Sequence, residues 1–188
     1  MTMDLQTPRL RLDALRGEDA KTLFRYRADP AVSLYQGWCP GSLSEALSFI
    51  DTQQASVLDV PGTWFQRAIR WRDSDELVGD LGLHFVAGAE ATVELGISIA
   101  PSHQGKGLAA EALHAVLGFV FGDLHKHRVF GSVDPRNHAC MKLLESVGMR
   151  KEAHFRESLW YGGEWVDDVI FAMLEREWLL RESLCSRL

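Results

Sequence analysis

The chain has 188 residues, 46% of them hydrophobic and 24% charged, and its 20 basic and 26 acidic side chains give a formal net charge of −6. This length fits one domain with a substantial core, because chains of this size bury about 70% of the surface that they expose when unfolded. The acidic balance disfavours non-specific binding to nucleic acid or anionic lipid, whose phosphates it would repel, and it suits a cationic substrate.

The first part of the chain predicts one strand followed by two helices. Residues 9–15 alternate in polarity with the period of a strand. Helical spacing follows over residues 18–29 and 42–56, and a Pro-Gly-Ser sequence supplies a start signal for the second helix. Trp38 lies between these helices, in a loop rich in aromatic residues.

The central part predicts three antiparallel strands and a long helix. Strands are expected over residues 63–71, 76–86 and 91–100, because short turn sequences separate these apolar runs. The helix is expected over residues 107–121, where apolar side chains are frequent enough for it to be well buried.

The last part predicts a strand over residues 127–133, a helix over 137–147 and a hairpin. A Gly-Gly pair between the strands at 150–161 and 164–174 is the hairpin signal. The order is β-α-α-β-β-β-α-β-α-β-β. We therefore expect an α/β (mixed α+β) fold with a mostly antiparallel sheet of about seven strands and helices on both faces.

The spacing of the cysteines and the N-terminal residues predict the cellular compartment. Cys39, Cys140 and Cys185 form no C-x-x-C pair, so neither a zinc site nor a disulfide framework is indicated. The N-terminal residues lack the features of a secretory signal, and no stretch of about 18 apolar residues could span a bilayer. We expect a reduced cytoplasmic protein, with one domain over residues 1–188 and neither metal nor membrane contact.

The most informative stretch runs from a strand into a helix over residues 92–109. One face of the strand is apolar, whereas the other carries Glu94, Gly96 and Ser98, which are small or polar. Gly105 and Gly107 then allow successive backbone N–H groups to converge at a helix N-terminus, as in sites for a pyrophosphate. A simple turn is the alternative. The spacing matches neither an NTPase nor a dehydrogenase motif.

Four blocks of this sequence resemble the GNAT acyl-CoA N-acyltransferases. Gln104-x-x-Gly107-x-Ala109 matches their Q/R-x-x-G-x-G/A signature, and the predicted strand order is also similar. Residues 7–12, 137–149 and 163–171 resemble the RimJ/RimL-like branch of that superfamily. The resemblance extends over residues 7–178. It implies a GNAT-like fold and direct transfer of acetyl from acetyl-CoA to a primary amine.

The resemblance also implies a site for acetyl-CoA. The pantetheine arm would pair like an added strand with the backbone of Ile97, Ser98 and Ile99. Asn137 lies where the family contacts the cofactor arm, and a helix N-cap is a second role for the same side chain. Lys142 would approach a cofactor phosphate, with a solvated lysine as the alternative. The pyrophosphate would be held by the amides of Gln104, Gly105, Lys106, Gly107, Leu108 and Ala109.

Two residues are candidates for the proton transfers. Attack requires a neutral amine and therefore a base, and the departing thiolate is helped by an acid. Glu94 is the candidate base, acting through water, and a salt-bridged surface glutamate is the alternative. Cys140 stands where this branch commonly carries a serine that meets the cofactor sulfur. We expect the helix dipole to lower its pKa, with space filling as the alternative role.

The acceptor is much harder to predict. Trp38 and Trp160 fall in segments that surround the acceptor site in this fold, and aromatic rings can cover a cation. The resemblance implies a protein N-terminus, a polyamine or an aminoglycoside-like amine as acceptor, and a homodimer. The second hypothesis is a CoA-binding regulatory or structural protein without turnover, because Cys140 departs from the family serine.

Overall fold

The computed structural model describes residues 2–185, so that Met1 and residues 186–188 of the predicted domain lie outside the described part. Short 3-10 turns at Gly17–Asp19 and Pro101–His103 connect the main elements. In chain order, the strands and helices are β1 (Leu5–Gln6), β2 (Leu10–Asp13), α1 (Ala20–Arg27), α2 (Pro30–Ser33), α3 (Leu43–Gln54), β3 (Trp64–Trp71), β4 (Leu77–Phe85), β5 (Thr92–Ile99), α4 (Leu108–Gly122), β6 (Arg128–Val133), α5 (His138–Ser146), β7 (Arg150–Tyr161), β8 (Glu164–Leu174) and α6 (Glu175–Cys185).

The described strands form one mixed sheet of eight strands in the order β1-β2-β3-β4-β5-β6-β8-β7. Neighbouring strands are antiparallel, except for the parallel pair of β5 and β6. The predicted α/β class and the mostly antiparallel sheet are confirmed. The eighth strand is β1, whose two residues are too few to show a periodic pattern in the sequence.

Two helical regions differ from the prediction. The helix expected over residues 18–29 is shorter, because a 3-10 turn precedes α1 and α1 ends at Arg27, and Pro30 then begins a separate helix, α2. Asp29 caps α2 by accepting a hydrogen bond from the Ala31 amide at 2.9 Å. Helix α6 is the second difference, because the pattern of apolar residues did not predict a helix after β8. Trp178 of α6 is buried in the core, whereas Leu179 and Leu180 are exposed, so that α6 lacks a continuous apolar stripe.

Helices cover both faces of the sheet, as predicted. On one face, α4 buries Leu113, Val116 and Leu117 against the apolar side of β5. On the other face, α1 and α3 contribute Leu23 and Ile50 to a second, smaller cluster. The second face is only partly apolar, so it leaves room for polar side chains along β4 and β5.

Only the first part of β5, up to Glu94, pairs with β6. The paired residues are Thr92 with Arg128, Val93 with Val129 and Glu94 with Phe130. Beyond Glu94, β5 continues to Ile99 without a partner on that side among the described strands, while β6 continues beside β8. The two strands therefore diverge and leave a cleft between them, with Glu94 at its apex.

Candidate active site

The register of β5 determines which backbone groups face the cleft. Hydrogen bonds from the Val86 amide to Thr92 (3.3 Å) and from the Ala100 amide to Val78 (2.9 Å) show that even-numbered residues of β5 bond to β4. The N–H and C=O groups of Ile97 and Ile99 consequently point toward the cleft. The backbone of Ser98 points toward β4, which corrects the sequence-based assignment of that residue.

The side chain of Ser98 lies on the second, partly polar face of the sheet and is 4% exposed. Its hydroxyl has no hydrogen-bond partner within residues 2–185. Ser98 is paired with Asp80 of β4, which is fully buried. Asp80 accepts hydrogen bonds from the Tyr26 hydroxyl at 2.6 Å and from the Arg27 Nε at 3.0 Å. Burial alone would lower the pKa of the Arg27 guanidinium, but the charge of Asp80 outweighs burial and raises that pKa.

The loop that follows β5 exposes a row of backbone N–H groups. Gly105 and Gly107 have φ angles of 72° and 74°, in the left-handed region that glycine adopts without strain. Within the described chain, no backbone carbonyl accepts from the N–H groups of residues 105–110, and no side chain caps α4. The Gln104 side-chain amide donates to the Ile99 carbonyl at 2.9 Å and so fixes the loop to the end of β5. This arrangement suits an anion such as a pyrophosphate.

The N-terminal segment holds this loop in place. Glu111, in the first turn of α4, accepts hydrogen bonds from the Thr7 hydroxyl (2.5 Å), the Arg9 amide (2.9 Å) and the Arg9 Nε (2.6 Å). The Arg9 Nη1 also donates to the Lys106 carbonyl at 3.0 Å. Partial burial opposes ionisation of Glu111, but the hydrogen bonds from Thr7 and Arg9 outweigh it and lower the Glu111 pKa. The sequence analysis assigned no role to this clamp.

Asn137 and Cys140 lie at the start of α5, directly after β6. The Asn137 Oδ1 accepts a hydrogen bond from the Cys140 amide at 3.0 Å, so Asn137 is the N-cap of this helix. Burial raises the pKa of the Cys140 thiol to about 11. The expected lowering of this pKa is therefore wrong, because burial disfavours the charged thiolate. Lys142, one half-turn further, is exposed.

Glu94 lies directly opposite His84 of β4, and the sequence alone did not indicate that these two residues are neighbours. The His84 Nδ1 is 3.1 Å from the Glu94 Oε2. The Trp64 ring of β3 stacks on His84, with 5.0 Å between centroids and 13° between the planes. Gly82 and Gly96 leave space for this indole, since a Cβ at Gly82 would lie 3.0 Å from it. Trp64, His84 and Glu94 thus form one row across three strands.

Trp38 and Trp160, which are predicted to contact the acceptor amine, lie in different surroundings. Trp38 stacks on Phe49 of α3 at 4.2 Å, and the Arg27 guanidinium lies 5.8 Å from its ring centroid. Trp160 of β7 is 63% exposed and meets Trp165 edge-to-face at 5.4 Å. The hairpin of β7 and β8 is attached to the C-terminal end of α2 by Tyr161, whose hydroxyl donates to the Ser33 carbonyl at 2.8 Å. The acceptor roles of Trp38 and Trp160 stay predictions.

Two further properties concern residues 2–185 as a whole. No group of three or more His, Cys, Asp or Glu side chains in this range could hold a metal ion. None of the helices in this range has the length and apolar character needed to cross a membrane.

Comparison with known proteins identifies the family. The family model described as "Acetyltransferase (GNAT) domain" matches residues 9–150. The chain belongs to the GNAT acetyltransferase family. An uncharacterized N-acetyltransferase, p20 of Bacillus licheniformis, is 31% identical over 93% of this chain and 97% of its own length. The [ribosomal protein uS5]-alanine N-acetyltransferase of Escherichia coli is 33% identical over 56% of this chain and 55% of its own length.

Solved structures have the same fold. A GNAT-family acetyltransferase from Bacillus anthracis has a TM-score of 0.84 and 25% identity, covering 93% of this chain and 99% of that one. The spermidine N-acetyltransferase of Vibrio cholerae, in complex with CoA and spermine, has a TM-score of 0.78 and 22% identity, covering 92% and 99%. The GNAT family uses acetyl-CoA as its acyl donor, and this second neighbour contains CoA.

Proposed function

We propose that this GNAT protein is a single-domain enzyme, over residues 1–188, that transfers acetyl from acetyl-CoA to a primary amine within a ternary complex. The observation that carries the proposal is the divergence of β5 from β6 next to a loop of free N–H groups. An unpaired strand edge suits an amide-containing chain such as pantetheine, and the loop suits the pyrophosphate attached to it. The two features are consecutive in the chain and meet at the end of β5.

The chain's own residues supply the binding contacts. Ile97 offers both its N–H and its C=O to the cleft, and Ile99 offers its N–H, since Gln104 already occupies the Ile99 carbonyl. The amides from Gly105 to Ala109 would hold the pyrophosphate, with Gln104 acting through its side chain to position the loop. Asn137 would reach the cofactor arm from the N-terminus of α5, and the exposed Lys142 would approach a phosphate.

Acetyl-CoA supplies an activated thioester, and the protein supplies the proton transfers. Glu94 accepts a proton from the ammonium group of the acceptor through a water molecule, which leaves a neutral amine to attack the thioester carbonyl. The Ile97 N–H, which faces the cleft, stabilises the charge that develops on the carbonyl oxygen. As the carbon–sulfur bond breaks, Cys140 donates its thiol proton to the departing thiolate, and the second proton lost by the amine nitrogen returns to Cys140 through water, which leaves the amide and free CoA thiol. The raised pKa of Cys140 keeps this proton in place at neutral pH.

The names of the relatives suggest several candidate classes of acceptor amine. One relative is named for an alanine of ribosomal protein uS5, and another is named a spermidine N(1)-acetyltransferase. We therefore take this protein as a cytoplasmic member of the RimJ/RimL-like branch, acting as a homodimer on a peptide N-terminus, a polyamine or an aminoglycoside-like amine. Trp38 and Trp160 would contact that acceptor. The non-catalytic alternative is not favoured, because the named relatives are N-acetyltransferases.

The proposal is tested by release of free CoA thiol from acetyl-CoA in the presence of alanine-terminated peptides, spermidine or an aminoglycoside. Turnover that depends on the amine is expected for at least one class. Glu94→Gln should lower kcat by roughly 100-fold, in the range of general-base catalysis, with the Kd for acetyl-CoA within about twofold of wild type. Glu90→Gln, at an exposed site before β5, is the matched control and should match wild type. An unchanged rate in Glu94→Gln would remove Glu94 from the mechanism.

A further inference from the structure

We propose that His84 is a positioning residue for the reaction, which orients the Glu94 carboxylate at the apex of the cleft. The inference rests on the proposed function, because it gives Glu94 the role of base. Its basis is the 3.1 Å separation of the His84 Nδ1 from the Glu94 Oε2. A carboxylate that acts as a base can only accept hydrogen bonds, so the proposed role places the hydrogen of this contact on the Nδ1 of His84.

The position of His84 and Glu94 in the sheet distinguishes them from an ordinary ion pair on the surface. His84 and Glu94 are directly opposite each other on β4 and β5, and Glu94 is the last residue of β5 that pairs with β6. Their side chains are 26% and 25% exposed, so that water reaches the carboxylate while much of its surface is covered. Because His84 holds one carboxylate oxygen, the other oxygen is left to accept from the water that bridges to the acceptor amine.

The His84 ring is itself held by the next strand. Trp64 is directly opposite His84 on β3, and the two rings are nearly parallel. The far edge of the indole extends over Gly82 toward Gly96, as shown by the distances of 3.0 Å and 3.9 Å from the Cβ positions of these glycines. A ring held between Trp64 and Glu94 loses rotational freedom before the substrate binds, and such pre-organisation is what a catalytic carboxylate requires.

The test uses two substitutions of His84 and a matched control. His84→Phe keeps an aromatic ring against Trp64 but removes the donor, whereas His84→Asn places an amide N–H close to the position of Nδ1. The control is His114→Phe, because His114 also combines a glutamate contact, with Glu182 at 3.2 Å, and a tryptophan contact, with Trp178 at 4.9 Å, away from the cleft.

We expect His84→Phe to lower kcat about 10- to 50-fold while the Kd for acetyl-CoA changes less than twofold. His84→Asn should restore kcat to within about threefold of wild type, and His114→Phe should leave it unchanged. In a Glu94→Gln background, His84→Phe should have no further effect, because a positioning residue acts only through the group that it positions. Full kcat in His84→Phe, or equal loss with and without Glu94, would overturn the inference.

A second measurement separates failure of this inference from failure of the proposed function. Long-range ¹H–¹⁵N NMR of the imidazole reports the tautomer without any turnover. His84 should be the Nδ1–H tautomer in wild type and lose this preference in Glu94→Ala. The same tautomer in both proteins would overturn the inference even in an active enzyme. Absence of turnover in wild type with every amine would instead overturn the proposed function.

Discussion

Replacement of Cys140 by serine should change how stability depends on alkaline pH. Burial raises the pKa of the Cys140 thiol to about 11 from its ordinary value of 9.0. Because the folded state then holds the proton more tightly, this contribution is fully present below about pH 9 and is lost as pH rises through 11. A shift of about two pKa units corresponds to about 2.7 kcal/mol in full, of which about 1.4 kcal/mol is lost by pH 10.

The assay is urea unfolding of wild type and Cys140→Ser at pH 7.5 and pH 10. Tyrosines and lysines titrate in both proteins, so the difference between the two pH dependences isolates the thiol. We expect the free energy of unfolding of wild type to fall by about 1.4 kcal/mol more than that of the variant between these pH values. Parallel decreases would refute a buried, protonated thiol at this position.

Four other tests address the roles of single side chains. At neutral pH, Cys140→Ser should keep kcat within about threefold while Cys140→Ala loses about tenfold, and equal rates would favour a packing role. Glu111→Ala should weaken acetyl-CoA binding roughly tenfold in calorimetry, because the loop loses its charge-assisted hydrogen bonds. Asp80→Asn should reduce the urea-unfolding free energy by about 3–5 kcal/mol, since it leaves a buried guanidinium unpaired. Gly82→Ala should cost about 1–3 kcal/mol, because the new Cβ would overlap the Gln66 Oε1 and press on the Trp64 indole, whereas the Cβ position at Gly96 lies 3.9 Å from that indole and Gly96→Ala should cost less.

The sequence predicts those parts of the site that depend on local structure. The order of the long helices and strands follows from periodicity, and the left-handed positions of Gly105 and Gly107 follow from a glycine loop before a helix. The clamp of Glu111 on Thr7 joins residues that are 104 positions apart, and no local pattern indicates such a contact. The family resemblance includes Thr7 and Arg9 in the block at residues 7–12, but its loop block ends at Ala109, before Glu111.

The row of Trp64, His84 and Glu94 could not be predicted for a related reason. Alternation places each residue on a face of its strand, but the residue opposite depends on the register between strands, which turn lengths and packing determine. Cys140 shows that a pKa shift can also be hard to predict from sequence. Its place in the first turn of α5 is visible in the sequence, whereas the burial that raises its pKa is a tertiary property.

Calorimetric titration of the purified protein with acetyl-CoA tests the central claim most directly, with NAD and ATP as controls. The account predicts saturable binding of acetyl-CoA and much weaker binding of the two controls, because only acetyl-CoA combines a pyrophosphate with an arm that can pair along β5. Absence of acetyl-CoA binding by a protein shown to be folded would contradict the account, since the loop from Gln104 to Ala109 would then be only a turn.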